Sequence, residues 1–207
     1  MPLPSPAPRT HLHKRRLSLD GYQREDGMLD IEGHLVDTKT YAFDSEFRGH
    51  VAAGTPVHEM WVRLTVDETL TIREAVAETD YGPFPPCYDV AANFDRLIGV
   101  RIRPGWMRAV RERIGGTEGC THINEMLAQV ATTAYQTMSK RYEEERRKSE
   151  AEAPVGAPKK RPPIIGTCHA LAADGLVIKA LFPEFYDGPD RGDPGATAAD
   201  APAAGEA

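Results

Sequence analysis

The sequence lacks any apolar run near the roughly 18–20 residues that span a bilayer, so it predicts no transmembrane helix. Residues 1–16 are proline-rich and then basic, without the apolar stretch of a secretory signal. Cysteine is scarce: 3 residues in 207, an odd number that argues against a disulfide framework and for a reducing compartment. We therefore expect a cytoplasmic protein without membrane association.

The common nucleotide and hydrolase signatures are also missing. There is no GxGxxG, Walker loop, GxSxG elbow or HExxH. These absences disfavour nucleotide-dependent redox chemistry, ATP chemistry and serine hydrolysis, so we expect no redox cofactor. The net charge of −6, with both signs interspersed, disfavours a broad nucleic-acid surface.

The length favours one domain with extensions, since domains usually have about 100–200 residues. We place a mobile basic arm at residues 1–20, a single domain at 21–146, a linker at 147–163, a C-terminal element packed on the domain at 164–187 and a disordered tail at 188–207. The tail contains no Leu, Ile, Val or aromatic residue that burial could stabilise.

Alternating hydrophobicity predicts strands in the first half of the domain. Residues 28–35 and 57–66 alternate strongly, and residues 70–77 can pair back as a hairpin. In the second strand, His58 shares a face with Met60 and the following apolar residues. Short connections between these runs indicate antiparallel pairing.

Helical spacing replaces this alternation in the second half. Pro104 opens a helix that ends at Gly115, and Thr121 can cap a longer amphipathic helix. A sheet followed by helices predicts an α+β fold, an antiparallel sheet with helices packed on one face. The long helix exceeds what a small sheet covers, so we expect a homo-oligomer, of which a homodimer is the simplest form.

Three metal-type side chains are the first candidate site. His58 begins a strand, Cys87 lies in a proline-rich loop, and Cys120 precedes a helix, whose dipole favours a thiolate. If they converge, they make a three-ligand site with an open fourth position, suited to a divalent metal such as zinc. The alternative is three unrelated residues, since no CxxC or HxxxH pair links them.

A polar strand face is the second candidate. Glu32 and His34 lie on one face of the first strand, and a carboxylate beside an imidazole can perform acid–base catalysis. Trp61 and Arg63 share a face of the next strand and could bind a phenolate or carboxylate. The alternative is a solvated sheet face.

The stretch from Gly21 to Gln136 resembles a bacterial family known as domain of unknown function 2889. The resemblance lies in Gly21-Tyr22 with Arg24, Asp26-Gly27, Asp30 to Leu35, Asp37-Thr38-Lys39, His58 to Trp61, Arg63-Leu64-Thr65, Gly105-Trp106, Gly115-Gly116 and Gly119 to His122. Some members of that family are associated with the breakdown of lignin-derived aromatics. They resemble lyases that expel formaldehyde from a hydroxymethyl side chain.

The resemblance therefore implies a lyase of aromatic catabolism. Its small-molecule substrate would be a phenolic diaryl compound, cleaved at a C–C bond in a retro-aldol-like reaction. Such chemistry needs a base and a group that stabilises the developing oxyanion. The candidate bases are His58, His34, Glu32 and Asp80. The candidate stabilisers are Arg63, Lys39 or a divalent metal, and Tyr41 and Trp61 could line the ring pocket.

A second resemblance is to the IscU/SufE-like fold of iron–sulfur scaffolds. His58, Cys87 and Cys120 fall where that family keeps its three ligands, although histidine replaces the first cysteine and the LPPVK motif is absent. This resemblance implies an alternative function as a metal or iron–sulfur carrier. A third alternative is a non-catalytic module that binds an aromatic acid.

Overall fold

A four-stranded antiparallel sheet organises the first part of the chain. The computed structural model describes residues 3–154 and 158–189. The strands, in their order across the sheet, are β1 (His13–Gln23), β2 (Leu29–Lys39), β5 (Pro56–Val66) and β6 (Ile72–Tyr81). Between β2 and β5 the chain forms a small hairpin of β3 (Phe43–Ser45) and β4 (Gly49–Val51).

The helices follow the sheet in sequence. A 3-10 helical segment (Pro85–Leu97) leads to α1 (Trp106–Ile114), α2 (Thr121–Glu152) and the short α3 (Leu176–Leu181). Helix α1 ends at Gly115, where a Cβ would overlap the carbonyl of Arg111. The predicted end of this helix and the predicted start of α2 are both confirmed.

One hydrophobic core lies between the sheet and the helices. The strands contribute alternate residues, which include Ile31, Leu35, Met60, Val62, Leu64 and Ile72; the helical part contributes Phe94, Leu97, Trp106, Val110, Ile114, Ile123, Met126, Leu127 and Val130. Gly33 on β2 lets α2 approach closely, since a Cβ there would lie 2.8 Å from the sulfur of Met126. The α+β fold, with its antiparallel sheet, is therefore confirmed, while its IscU/SufE-like detail stays a prediction.

Strand β1 corrects the predicted arm at residues 1–20. Residues 13–20 are not a free arm, because β1 pairs with β2 along its whole length, from His13 opposite Lys39 to Gln23 opposite Leu29. Most side chains of β1 are exposed, so the strand shows little of the hydrophobic alternation that marks a half-buried strand. Backbone pairing to β2 is its main attachment to the sheet, and Leu19 is its one side chain that packs on the core.

Two other boundaries differ from the sequence prediction. Strand β6 begins at Ile72 and runs to Tyr81, because Leu70 belongs to a turn, with a φ of 60° and its amide bonded to the Asp67 carbonyl. Helix α2 continues to Glu152, inside the predicted linker at 147–163. Apart from residues 188 and 189, the predicted tail at 188–207 lies outside the described residues.

The chain divides into two compact units, residues 1–146 and 147–207. The first contains the sheet and its core. In the second, α3 is accompanied by short 3-10 turns and by an ion pair between Lys159 and Glu184, with 2.8 Å between Nζ and Oε1. Among the described residues, no helix combines the length and apolar character needed to cross a membrane.

The close contact between β1 and α2 gives a test of the corrected N-terminal boundary. A Cβ at Gly21 would overlap the side chain of Thr137, whose β-branched side chain has little room to move. We expect Gly21→Ala to lower the free energy of unfolding by about 1–3 kcal/mol, measured by urea titration. Ser18→Ala, at an exposed position of the same strand, is the control. A near-neutral Gly21→Ala would show that β1 does not pack against α2.

Candidate functional site

Three ionisable side chains form a row across one end of the sheet. Strand pairing places Asp37 on β2 opposite Arg15 on β1 and, on the other side, opposite His58 on β5. Because neighbouring strands run antiparallel, this end of the sheet collects the start of β1, the end of β2 and the start of β5. The row is therefore a direct consequence of the strand register.

Asp37 is the buried centre of this row, with only 2% of its surface exposed. It continues the core-facing positions of β2, two residues after the buried Leu35. The Nε and Nη2 atoms of Arg15 donate to its two carboxylate oxygens at 2.8 Å each. His13 Nε2 lies 3.1 Å from Oδ1. Burial alone would raise the pKa of Asp37, but the hydrogen bonds and charge of Arg15 outweigh it and lower the pKa below its usual value.

Two imidazoles meet beside this carboxylate. Helix α2 begins at Thr121 and brings the ring of His122 against that of His58, with ring centroids 3.9 Å apart. His58 Nδ1 lies 3.2 Å from Asp37 Oδ2, yet this buried nitrogen makes no hydrogen bond. The nitrogen is therefore close enough to Asp37 for an ion pair but is not aligned for a hydrogen bond.

Burial keeps both imidazoles neutral around neutral pH. For His58, burial and then the neighbouring His122 lower the pKa, against the opposing charge of Asp37. For His122, burial and then the charge of Arg15 lower the pKa. Neutral imidazole is the form that binds a metal or accepts a proton.

Asp37, His58 and His122 together make a candidate metal centre. One potential ligand atom from each lies within 4.8 Å of the others. Two imidazoles and one carboxylate suit zinc and other divalent first-row cations, with an open position for an oxygen ligand. The arrangement can also work without a metal, as a carboxylate that orients an imidazole base.

The imidazoles open onto a cavity of about 470 Å³. Its described lining is mostly apolar and includes His58, His122, Met60, Pro83, Phe84, Pro86, Cys87, Val90 and Cys120. Asp37 is not among the lining residues, so His58 and His122 are the members of the group that face the cavity. A cavity of this size and character fits a small aromatic molecule.

Cys87 and Cys120 line the same cavity as His58. The Cys120 thiol donates to the sulfur of Met60 at 3.6 Å and lies 3.9 Å from His122 Nδ1. Neither cysteine belongs to the group with His58 whose ligand atoms lie within 4.8 Å of one another. Their role as metal ligands stays a prediction.

The polar strand face predicted from the sequence lies on the opposite side of the sheet. Register places His34 opposite Trp61 and Glu32 opposite Arg63, so the two predicted faces coincide. The His34 and Trp61 rings are stacked with centroids 3.5 Å apart. Trp61 also donates to Asp80 at 2.8 Å.

The charged groups of this face are largely paired with one another. His34 Nε2 lies 3.0 Å from Glu59, and Arg63 lies 3.9 Å from Glu32. None of the predicted bases on this face lines the cavity beside His58. Their catalytic roles stay predictions, and the sheet separates them from the imidazole pair.

Lys39 and Tyr41 lie where β2 leads into the small hairpin. The ammonium of Lys39 is 4.1 Å from the ring centroid of Phe43 and 5.3 Å from that of Tyr41, which is exposed. Neither residue lines the cavity. Their predicted roles in binding the substrate stay predictions.

Sequence reasoning missed Asp37, His122 and Arg15 as site residues, although their positions carried a signal. Asp37 continues the alternation of Ile31 and Leu35, which marks a carboxylate facing the core. His122 lies one turn before the buried Met126 on the apolar stripe of α2. Arg15 was assigned to the arm, and only the position of β1 in the sheet brings it to Asp37.

A family model described as protein of unknown function (DUF2889) matches residues 13–136, more than half of the chain. The chain belongs to this family. The match begins at the first residue of β1 and includes Arg15, Asp37, His58 and His122. No curated protein and no solved structure matches the chain.

The imidazole pair predicts that acid destabilises the fold. The folded pKa values of His58 and His122 lie below the ordinary value of 6.5, so the unfolded chain takes up protons first as the pH falls below that value. The free energy of unfolding then decreases progressively as the pH falls, until the pH is below the pKa values of both histidines in the folded chain. Asp37, whose pKa in the folded chain is also lowered, contributes to stability until the pH falls below about its ordinary pKa of 3.8, which is a separate pH range.

We therefore expect the free energy of unfolding, measured with a chelator present, to fall between about pH 7 and pH 5. The fall should be smaller in His122→Gln, which removes one titrating group and its repulsion of His58. His50→Gln, which removes an exposed histidine outside the imidazole pair, is the control. Equal slopes for wild type and His122→Gln would contradict the assignment.

Proposed function

We propose that this protein is a metal-dependent carbon–carbon lyase that releases formaldehyde from the hydroxymethyl side chain of a phenolic diaryl compound. The observation that carries the proposal is the grouping of Asp37, His58 and His122 beside an apolar cavity of about 470 Å³. The reaction itself comes from the family resemblance described above, which implies formaldehyde-releasing lyases of lignin-derived aromatics.

The donor set fits a divalent cation, for which we propose zinc. Both imidazoles are kept neutral by burial, the carboxylate is kept ionised by Arg15, and His58 Nδ1 is buried without a hydrogen bond. A bound cation would stabilise negative charge that develops on a substrate oxygen in the open position. Asp37, His58 and His122 would hold it.

The cleavage needs only a proton transfer and a rearrangement of electron pairs. The hydroxymethyl O–H gives its proton to a base, and its C–O bond becomes the C=O bond of formaldehyde as the adjacent C–C bond breaks. The quinone methide forms beforehand, when the phenol gives up its proton and an oxygen substituent on the benzylic carbon leaves with that proton. The electron pair of the broken C–C bond then enters this quinone methide, which becomes a phenolate. No external oxidant or reductant is required, in agreement with the missing nucleotide motifs.

The mostly apolar lining of the cavity supports this chemistry by offering contact to an aromatic ring. Its described lining contains no Lys, Arg, Asp or Glu, so it offers a neutral aromatic ring no unpaired charge. His58 and His122 are partly buried, and beside partly desolvated groups the electrostatic stabilisation of a developing oxyanion is stronger than in bulk water. The polar residues of the lining that could orient the substrate hydroxyl include His58 and His122 and also Thr117 and Thr121.

A metal-free form of the same reaction is the second candidate. Arg15 already donates to both oxygens of Asp37 and so supplies the positive charge that a cation would otherwise provide. In this form His58 takes the hydroxyl proton, and Asp37 stabilises the resulting imidazolium. Chelation distinguishes the two forms, since only the first loses activity when the cation is removed.

Metal binding should depend in opposite ways on Asp37 and Arg15. Asp37→Asn removes a ligand, so we expect its zinc affinity to fall by at least about 100-fold. Arg15→Gln removes a competing cation, so we expect zinc affinity to rise by about tenfold. Calorimetric titration of the chelated protein with zinc provides both values. Wild-type affinity in Asp37→Asn would contradict the proposed ligand set.

The activity test is the release of formaldehyde from a phenolic diaryl compound with a hydroxymethyl side chain. We expect one formaldehyde per substrate, at least about 100-fold slower release in His58→Ala, and no change in Cys168→Ala, whose cysteine is exposed. Loss of activity with a chelator and its return with zinc would support the metal-dependent form. No formaldehyde from any member of a panel of such compounds would contradict the proposed reaction.

A further inference from the structure

Two solvent-exposed phenylalanine rings contact each other, and one of them lines the cavity. Phe47 lies in the turn between β3 and β4 and is 57% exposed, and Phe84 follows β6 and is 54% exposed. Their ring centroids are 5.7 Å apart, and the rings meet edge to face at 81°. Exposed apolar side chains that contact each other are more informative than scattered ones, because they form a ready contact surface.

This aromatic pair is continuous with the candidate site. Phe84 itself lines the cavity that contains His58 and His122. The ring of Phe84 therefore forms part of the cavity wall, and the ring of Phe47 lies against it. The remaining wall near Phe84 is formed by Pro83 and Pro86, which are also apolar.

The hairpin that carries Phe47 is tied to the strand that carries His58. The Arg48 Nη1 donates to the carbonyl oxygens of Pro56 at 2.9 Å and of Val57 at 3.3 Å. Its guanidinium also lies over the ring of Tyr81, at 5.4 Å from the centroid. Val57 directly precedes His58, so these bonds tie the turn that carries Phe47 to the strand that carries His58.

We propose that Phe47 and Phe84 form an aromatic subsite that binds the second ring of a two-ring substrate. The inference deepens the proposed function and rests on it. The first ring, with its hydroxymethyl side chain, occupies the cavity beside His58, and the second ring packs on the exposed faces of the aromatic pair. Aromatic rings favour offset and edge-to-face contacts of this kind.

The chemistry of the surroundings favours an uncharged ring over other occupants. No Lys, Arg, Asp or Glu is among the described residues that line the cavity, and Arg48 is engaged by two backbone carbonyls and Tyr81. The subsite therefore offers apolar contact rather than ion pairing. A pre-positioned aromatic surface binds a ring with little ordering cost, which makes it a determinant of selectivity between two-ring and one-ring compounds.

The test compares two matched ligands on the full-length protein. One is a phenolic diaryl compound with a hydroxymethyl side chain, and the other is its one-ring analogue with the same side chain. Calorimetry should show that wild type binds the two-ring compound more tightly. Phe47→Ala should weaken binding of the two-ring compound by about three- to tenfold and leave the one-ring compound unchanged, while Phe47→Tyr should retain the wild-type preference.

Each other outcome overturns the proposal in a distinguishable way. If wild type binds neither compound, the proposed function fails and the subsite fails with it. If wild type binds both and Phe47→Ala changes neither affinity, or weakens both equally, the subsite alone is wrong. If Phe47→Ala leaves binding unchanged but alters the oligomeric state in size-exclusion chromatography, the aromatic pair is a contact between copies of the chain.

Discussion

The buried carboxylate of Asp37 is the constraint on which the rest of the site depends. An ionised carboxylate with only 2% of its surface exposed would cost several kcal/mol without partners. Arg15 supplies two charge-assisted hydrogen bonds and His13 a third contact, and both belong to β1. The first strand is therefore part of the site as well as part of the sheet, because Arg15 on β1 lowers the pKa of Asp37 against the effect of burial.

The same carboxylate explains how two neutral imidazoles can lie side by side. Two histidinium ions with ring centroids 3.9 Å apart would repel each other, and burial disfavours either charge further. The pair is thus kept in the form that binds a cation or accepts a proton, with an anion behind it and an apolar cavity in front. This separation of charge from cavity suits a reaction in which negative charge develops on an oxygen of an otherwise apolar substrate.

The fold could largely be predicted from the sequence, whereas the site could be predicted only in part. The alternation of β2 and β5 and the apolar stripe of α2 identify core-facing residues directly, and they place His58 at the edge of the core. Strand β1 was missed because its side chains are mostly exposed, and Arg15 was missed with it. Asp37 and His58 are 21 positions apart in the sequence. They meet because of the register between β2 and β5, and local sequence patterns do not determine that register.

The most direct test of the metal centre is X-ray absorption at the zinc edge of the zinc-loaded protein. The account predicts only light ligands, the nitrogens of His58 and His122 and an oxygen of Asp37, at about 2.0–2.2 Å. Sulfur scattering at about 2.3 Å would contradict it. That result would instead assign the cation to Cys87 and Cys120, the two thiols on the same cavity wall.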